Sequence, residues 1–230
     1  GSWQQSARRR AHNLVVGRQM SVVTATTPAP RDRVSAVCWN SLIFHYRGCW
    51  GSAGVYTLKT IPSDVIAALD YLSSGKFPQV DSSQLFLIGH SLGGWAAVLV
   101  GASDNRVGGV IAIAPLATPE EIQITNDDAA QMYCPWLPGL SPVNLVTQWN
   151  ELDSEFMPTE QVEKISPKSL LILHGSNDEL IPVSQSEALY ARAREPREII
   201  IYPEANHSFV WHRQWLQSTV VEWLHNRILC

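Results

Sequence analysis

The sequence predicts an α/β protein with a doubly wound, mostly parallel sheet that is covered by helices on both faces. From residue 40 onward, apolar segments that suit strands alternate with segments of helical periodicity. The strand segments are continuous apolar runs rather than polar and apolar alternations, which is typical of parallel strands buried on both faces. Strands separated by helices favour right-handed crossover connections and therefore an open sheet.

Five segments are predicted as strands and four as helices. The strands are 41–46 (SLIFHY), 84–90 (QLFLIGH), 107–116 (VGGVIAIAPL), 169–175 (SLLILHG) and 198–204 (EIIIYPE). The helices are 61–74, a small-residue helix from Leu92, about 183–194, and 212–228. In the first helix, Pro62 suits the first turn and the apolar residues follow a helical spacing. Segments 13–17 and 21–26 are weaker candidates for strands.

The segment 117–167 interrupts this alternation, because it holds no clear strand and is rich in Pro, Trp and acidic residues. An insertion of this length inside a compact domain usually has a function. We expect a small helical cap above the carboxyl edge of the sheet, within a single domain that spans residues 1–230.

The composition of the chain excludes some classes of binding partner. The chain has 230 residues, of which 45% are hydrophobic and 17% charged, enough to build a full core. A net charge of −4 argues against nucleic acid or an anionic membrane surface as a partner. No apolar run approaches the roughly 18 residues of a membrane span, and no signal-peptide core is visible. We expect a cytoplasmic protein, although the initial Gly1-Ser2 is typical of a cleaved tag and is compatible with a removed leader.

The four cysteines, Cys38, Cys49, Cys134 and Cys230, are widely spaced and form no metal-binding pattern with histidine. Free thiols are the prediction, with one disulfide as the alternative for a secreted protein. No metal and no cofactor are expected.

A Gly-His-Ser-Leu-Gly sequence stands where the strand 84–90 meets the following helix, with Ser91 at its centre. A nucleophile on such a sharp turn has a strained backbone, and glycines at Gly89 and Gly93 avoid collisions between strand and helix. The serine then projects above the carboxyl edge of the sheet, where open α/β sheets bind ligands. The amide of Leu92, at the start of the helix, can donate to an oxyanion. The alternative is a glycine-rich packing or phosphate turn with an incidental serine.

Two further residues fit a catalytic serine. Serine needs a base at neutral pH, and His207 lies just after the last predicted strand, so it reaches the same sheet edge. Asp178 follows the strand 169–175 and is the candidate that orients the histidine, with Glu179 as the alternative. Both could instead be structural residues. The order Ser91, Asp178, His207 is that of the α/β-hydrolases.

On these residues the chain resembles the α/β-hydrolases over roughly residues 40–228. GHSLGG, HGSNDELIPVSQSEALY and PEANHSF occur in the expected order. The segment FHYRGCWGSAGVY (44–56) is similar to a loop of small soluble esterases, including cinnamoyl and feruloyl esterases, and of prolyl-oligopeptidase-type peptidases. The resemblance implies ester hydrolysis through an acyl-enzyme on Ser91.

The N-terminal part departs from the family pattern. The His-Gly motif that precedes the second oxyanion donor is missing, and LVVG at 14–17 is the best substitute, with Gly17 or Arg18 as donor. The first two strands of the family would be absent. A bare sheet edge invites pairing with another chain, so we expect a homodimer or a higher oligomer.

The substrate is predicted only as a class, short or medium acyl esters or aromatic esters of the hydroxycinnamoyl type. The resemblance places Tyr46 and Trp50 near the mouth of the site, while Trp136 and Leu137 of the cap are candidates for an apolar pocket. Tyr133, Leu140 and Trp149 could join them or form the core of the cap. Two alternatives stay open. One is a prolyl-oligopeptidase-type peptidase, although the propeller typical of such enzymes is not seen here. The other is a non-catalytic ligand-binding protein on a hydrolase fold.

Overall fold

A six-stranded sheet forms the centre of the computed structural model, which describes residues 20–26, 39–49, 51–78, 80–134, 137 and 139–227. The strands are β1 (Met20–Thr26), β2 (Trp39–His45), β3 (Leu85–His90), β4 (Val107–Ile113), β5 (Ser169–Gly175) and β6 (Arg197–Tyr202). Their order across the sheet is β2-β1-β3-β4-β5-β6. The two edges of the described sheet are therefore β2 and β6, and association of chains along an edge stays a prediction.

The predicted mostly parallel sheet is confirmed for the four strands β3 to β6, which pair in parallel from neighbour to neighbour. The strand β1 is antiparallel to both β2 and β3. It coincides with the weaker candidate at 21–26, and its direction was not predicted. The other weak candidate, 13–17, lies outside the described residues.

Seven α-helices connect or follow the strands in the part of the chain that the structure describes. They are α1 (Ile61–Leu72), α2 (Leu92–Ser103), α3 (Asn126–Asp128), α4 (Pro142–Asn150), α5 (Pro158–Gln161), α6 (Val183–Arg192) and α7 (Arg213–Asn226). Shorter 3-10 turns occupy Leu58–Thr60, Pro119–Glu121, Ser154–Phe156 and Val162–Ile165, and one π-helical segment spans Ala129–Tyr133. The segment between β4 and β5 is thus helical wherever it has regular structure in the described part of the chain.

The strand predicted for 107–116 ends earlier, at Ile113. Ala114 has a φ of 42°, which is a left-handed value outside the strand region. Its amide still donates to the Leu173 carbonyl at 2.7 Å, so the chain leaves the sheet by a sharp turn directly after β4. This turn starts the helical insertion.

Both faces of the sheet are covered, as the apolar runs predicted. In β3, Phe86 and Ile88 belong to a core that includes Trp223 and Leu224 of α7. The alternate positions, such as Leu87, belong to a larger core together with residues of α1, α2 and α6. All six residues of β3 are buried. The strand that leads to Ser91 is therefore held rigidly from both sides.

The described cysteines, Cys49 and Cys134, are free thiols. Burial, with a contribution from the Asp64 charge, raises the pKa of the Cys49 thiol to about 12. Cys38 and Cys230 lie outside the described residues. In the described part of the chain, no cluster of three or more His, Cys, Asp or Glu residues could hold a metal ion. None of the described helices has the length and apolarity needed to cross a membrane.

Candidate active site

Ser91 sits at a strained turn between β3 and α2. Its φ and ψ are 57° and −121°, a combination that residues with a side chain rarely adopt. The turn is fixed on both sides, because the Ser91 amide donates to the Ile113 carbonyl at 2.8 Å and the Ser91 carbonyl accepts from the Trp95 amide at 3.0 Å. Ser91 itself remains partly exposed. The geometry is that of a nucleophile elbow.

Gly89 shows why this turn requires glycine. A Cβ atom at Gly89 would lie 1.9 Å from the carbonyl oxygen of Gly93. No side chain fits at that distance, so strand and helix approach each other only because Gly89 has none. The glycine pattern in the sequence therefore indicates that the backbones of β3 and α2 approach each other closely.

Asp178 and His207 form a buried pair at the same edge of the sheet. His207 Nδ1 lies 2.7 Å from Asp178 Oδ2, and the two side chains are 1% and 0% exposed. Asp178 follows β5 and His207 follows β6, and the carboxyl ends of parallel strands meet at one edge. Because a carboxylate only accepts, His207 donates from Nδ1 and its Nε2 remains able to accept a proton.

The Asp178 carboxylate is well supplied with donors. Its Oδ1 accepts hydrogen bonds from the amides of Leu180 and Ile181 at 2.9 and 2.8 Å. Burial by itself would raise the pKa of Asp178, but hydrogen bonds from His174 and His207 outweigh burial and hold that pKa well below its usual range. Asp178 is therefore ionised at neutral pH, as an orienting carboxylate must be. Glu179, the alternative, is exposed, and its Oε2 accepts from the His207 amide at 3.4 Å.

His90 contacts the candidate base, His207. Its Nε2 lies 2.7 Å from the His207 carbonyl oxygen, and the two rings are 4.6 Å apart between centroids. His90 directly precedes Ser91, so this contact brings the His207 loop against the end of β3. Within the described residues, no hydrogen bond joins the Ser91 hydroxyl to His207. Such bonds are often long without substrate.

Of the three candidate oxyanion donors, the structure describes one, Leu92. Leu92 is the first residue of α2, where amides have no partner inside the helix. Its amide is therefore available beside Ser91. Gly17 and Arg18, the candidates for the second donor, lie outside the described residues.

Tyr46 and Leu137, the two substrate-binding candidates that the structure describes, are both buried. Tyr46 has no exposed surface and packs edge-on against Phe44 at 5.8 Å between ring centroids. The structure thus places Tyr46 in the core. Leu137 is also buried, at 1% exposure. Trp50 and Trp136 lie outside the described residues.

Two buried polar residues near the site were missed. His174 lies in β5 with no exposed surface, and its Nε2 is 3.2 Å from Asp178 Oδ2. The only sequence signal was its spacing of four residues from Asp178. Gln185 of α6 accepts from the amides of Ala117 and Thr118 at 3.0 and 2.7 Å, where the helical insertion begins. Nothing local in the sequence marks that contact, which joins residues 67 positions apart.

Comparisons with known proteins identify a family and similar folds. The sequence profile of the prolyl oligopeptidase family matches residues 47–228. YfhR of Salmonella typhi, an uncharacterized protein, is 32% identical over 173 residues, which are 73% of this chain and 54% of YfhR. The chain thus spans about half the length of that relative.

Solved structures show the same fold. Est1E from Butyrivibrio proteoclasticus with ferulic acid bound has a TM-score of 0.61 at 19% identity, covering 84% of this chain and 78% of Est1E. Dipeptidyl peptidase 4 of Porphyromonas gingivalis has a TM-score of 0.55 at 20% identity, covering 72% of this chain and 22% of the peptidase. These likenesses confirm the predicted α/β-hydrolase fold.

Proposed function

Because the chain belongs to the prolyl oligopeptidase family and has the α/β-hydrolase fold, we propose that it is a serine hydrolase whose substrates are carboxylic esters. Family and fold support an enzyme of the serine-hydrolase type; the residue roles and the ester specificity are the proposal. The catalytic roles proposed for Ser91, Asp178 and His207 rest on one observation. Asp178 and His207 share a buried hydrogen bond of 2.7 Å at the sheet edge where the strained Ser91 turn lies.

In the first half of the reaction, the Ser91 oxygen attacks the ester carbonyl carbon. His207 Nε2 takes the serine proton as the new C–O bond forms. Asp178 keeps the His207 proton on Nδ1 and stabilises the imidazolium that results. The oxyanion accepts a hydrogen bond from the Leu92 amide. His207 then returns its proton to the leaving alkoxide, and the alcohol departs.

In the second half, water attacks the acyl-enzyme carbonyl while His207 again acts as base. Collapse of the second tetrahedral intermediate breaks the bond to Ser91 and returns the proton to its oxygen. The net reaction is ester plus water to acid plus alcohol. Gly17 or Arg18 is proposed as the second oxyanion donor, and loss of one such donor typically costs about 10²–10³ in turnover.

Esters are the proposed substrates because an ester carbonyl is less stabilised by resonance than an amide carbonyl, and an alkoxide leaves more easily than an amide anion. The ferulic acid found on the similar fold of Est1E makes hydroxycinnamoyl esters one class to test, beside short and medium acyl esters. Leu137 is the described residue we propose to lie nearest an acyl pocket, with Trp50 and Trp136 as further candidates from the sequence.

A peptidase is the second candidate, because the matching family is the prolyl oligopeptidase family and a dipeptidyl peptidase has a similar fold. The same three residues would then cleave a peptide bond, with His207 protonating the leaving amine. The catalytic steps are shared, so only the preferred leaving group separates the two candidates.

A substrate panel tests the proposal. Wild type and Ser91→Ala are assayed on p-nitrophenyl acetate, butyrate, octanoate and decanoate, on methyl ferulate, and on aminoacyl and dipeptidyl p-nitroanilides. We expect hydrolysis of at least one ester that is lost in Ser91→Ala, with a kcat/KM above that of every nitroanilide. A higher kcat/KM for a nitroanilide would instead support the peptidase. Equal rates in both proteins would overturn the role of Ser91.

A further inference from the structure

His174 has polar partners on both ring nitrogens although it is fully buried. Its Nδ1 lies 2.7 Å from the Ser186 hydroxyl of α6. Its Nε2 lies 3.0 Å from the Ile181 carbonyl oxygen and 3.2 Å from Asp178 Oδ2. A carbonyl and an ionised carboxylate only accept, so Nε2 carries the proton. With the proton on Nε2, Nδ1 can accept from the Ser186 hydroxyl.

These contacts close a network around the Asp178 carboxylate. Ile181 donates its amide to Asp178 Oδ1 at 2.8 Å and accepts from His174 through its carbonyl. Asp178 Oδ2 faces two imidazole rings, His207 at 2.7 Å and His174 at 3.2 Å. His174 therefore stands beside the carboxylate and also fixes the turn that supplies its backbone donors.

We infer that His174 is a positioning residue of the proposed triad, which holds the Asp178 carboxylate ionised and directed at His207, and that Ser186 fixes the tautomer this requires. The inference rests on the proposed function. His174 touches neither substrate nor reacting atoms and acts only through Asp178. The ionisable groups that face the carboxylate are His174 from β5 and His207 from the loop after β6, with Glu179 beside the His207 amide.

A space-filling role does not account for these contacts. Burying an imidazole is costly unless its nitrogens are hydrogen-bonded, whereas an apolar ring would fill the same volume without that cost. Here both nitrogens have partners, and one of them is the carboxylate of the candidate triad. Hydrogen bonds to charged groups are also stronger than those between neutral groups.

The variants are chosen to separate the hydrogen bonds of the His174 ring from its packing. His174→Phe keeps a ring and removes both nitrogens. His174→Gln keeps an N–H donor that can reach the region of Nε2. Ser186→Ala removes only the partner of Nδ1. His225→Phe, in the last turn of α7, is the matched control for the same exchange at a site away from Asp178.

Steady-state kinetics on p-nitrophenyl butyrate give the first readout. We expect His174→Phe to lower kcat by about 10- to 100-fold with a nearly unchanged KM, the size expected for a hydrogen bond to a charged group. His174→Gln should recover part of that loss, Ser186→Ala should lose less than His174→Phe, and His225→Phe should match wild type. A folded His174→Phe with wild-type kcat, or a loss that His174→Gln does not relieve, would overturn the inference.

A second readout does not depend on activity. In protein with carbon-13-labelled aspartate, the Asp178 carboxyl carbon is followed by NMR as the pH is lowered. Because the His174 hydrogen bond lowers the pKa of Asp178 against the effect of burial, this resonance should begin to move at a higher pH in His174→Phe than in wild type. An unchanged titration would overturn the inference.

The two proposals fail in different ways. If wild type and Ser91→Ala hydrolyse esters equally, the proposed function fails, and the Asp178 titration still decides whether His174 holds the carboxylate. If hydrolysis depends on Ser91 but the His174 variants leave kcat and the titration unchanged, only the inference fails. If His174→Phe does not fold, the comparison of His174→Gln and Ser186→Ala with wild type is decisive, and unchanged kcat and titration in both would overturn the inference.

Discussion

His207 Nδ1 donates a hydrogen bond of 2.7 Å to Asp178 Oδ2 in a site where neither side chain is exposed to solvent beyond 1%. The bond fixes the His207 tautomer in a low-dielectric environment, where it is stronger than in water. It also leaves Nε2 as the ring nitrogen of His207 that can take a proton.

Asp178→Asn tests this relationship. The amide of Asn has nearly the shape of the carboxylate, but its NH₂ group favours the wrong His207 tautomer. By analogy with serine-protease triads, kcat should fall by roughly 10³–10⁴. The measurement is kcat on a p-nitrophenyl ester, with Glu179→Gln as the control. A larger loss in the control would show that Glu179 orients the histidine.

Gly89→Ala should disrupt the turn at Ser91. The new Cβ would lie 1.9 Å from the Gly93 carbonyl oxygen, and backbone on both sides must move to make room. We expect the free energy of unfolding to fall by about 3 kcal/mol or more.

Urea unfolding of Gly89→Ala and Gly108→Ala is the check. Gly108 is exposed in β4, and its added Cβ would have no heavy atom nearer than 3.6 Å. The control should stay within about 0.5 kcal/mol of wild type. Equal stability of both variants would mean that the backbone at Ser91 is looser than the structure shows.

Gln185→Leu should weaken the attachment of the helical insertion to α6. The exchange leaves the buried amides of Ala117 and Thr118 without the acceptor that Gln185 provides. Losing partners for two buried donors should cost about 2–4 kcal/mol of unfolding free energy, which urea unfolding measures. Gln161→Leu is the control, because the side-chain amide of Gln161 donates to the exposed Ser154 carbonyl. This exchange should lower the free energy of unfolding by less than about 1 kcal/mol.

Gln185→Glu separates the effect of losing a hydrogen-bond acceptor from the effect of adding a charge. The carboxylate can still accept from both amides, but it is placed beside Glu121, whose Oε2 lies 3.2 Å from Gln185 Nε2. Repulsion between the two carboxylates should destabilise the variant at neutral pH and weaken as one of them is protonated. A destabilisation that does not change with pH would contradict this explanation.

Acid should reveal the low pKa of Asp178. Burial opposes ionisation, but donation from His174 and His207 depresses the folded-state pKa below the ordinary value of about 3.9. The ionised carboxylate therefore stabilises the folded state above about pH 4, and this stabilisation is lost as the pH falls through the folded-state pKa. In Asp178→Asn, the unfolding free energy should fall less steeply between about pH 5 and pH 2. Urea unfolding at a series of pH values measures this, and Asp127→Asn, an exposed control, should keep the wild-type slope.

The parallel part of the sheet could be predicted because its strands contain apolar runs, and β3, β4 and β5 are almost entirely buried. The positions of Asp178 and His207 followed from the same pattern, since each lies directly after a strand and parallel strands end at one edge. The turn at Ser91 followed from its glycines. All of these are local signals.

Other features depend on contacts between distant parts of the chain. The apolar residues of β1 indicate a strand but carry no information about its direction. Tyr46 resembles a loop residue of the family, and only the packing against Phe44 reveals its burial. His174 is the last but one residue of the apolar strand β5, so its polar role appears only once Ser186 and Asp178 are folded against it.

Labelling by a fluorophosphonate probe tests whether Ser91 is a nucleophile, because the probe reacts only with an activated serine. Wild type, Ser91→Ala and Ser103→Ala are incubated with the probe, and the modified peptide is identified by mass spectrometry. Ser103, at the end of α2, is a matched control whose hydroxyl donates to the Leu99 carbonyl. The role proposed for Ser91 predicts one label, on Ser91, in wild type and Ser103→Ala and none in Ser91→Ala. A wild-type protein that takes no label, or that is labelled equally after Ser91→Ala, would contradict it and favour a ligand-binding role for the fold.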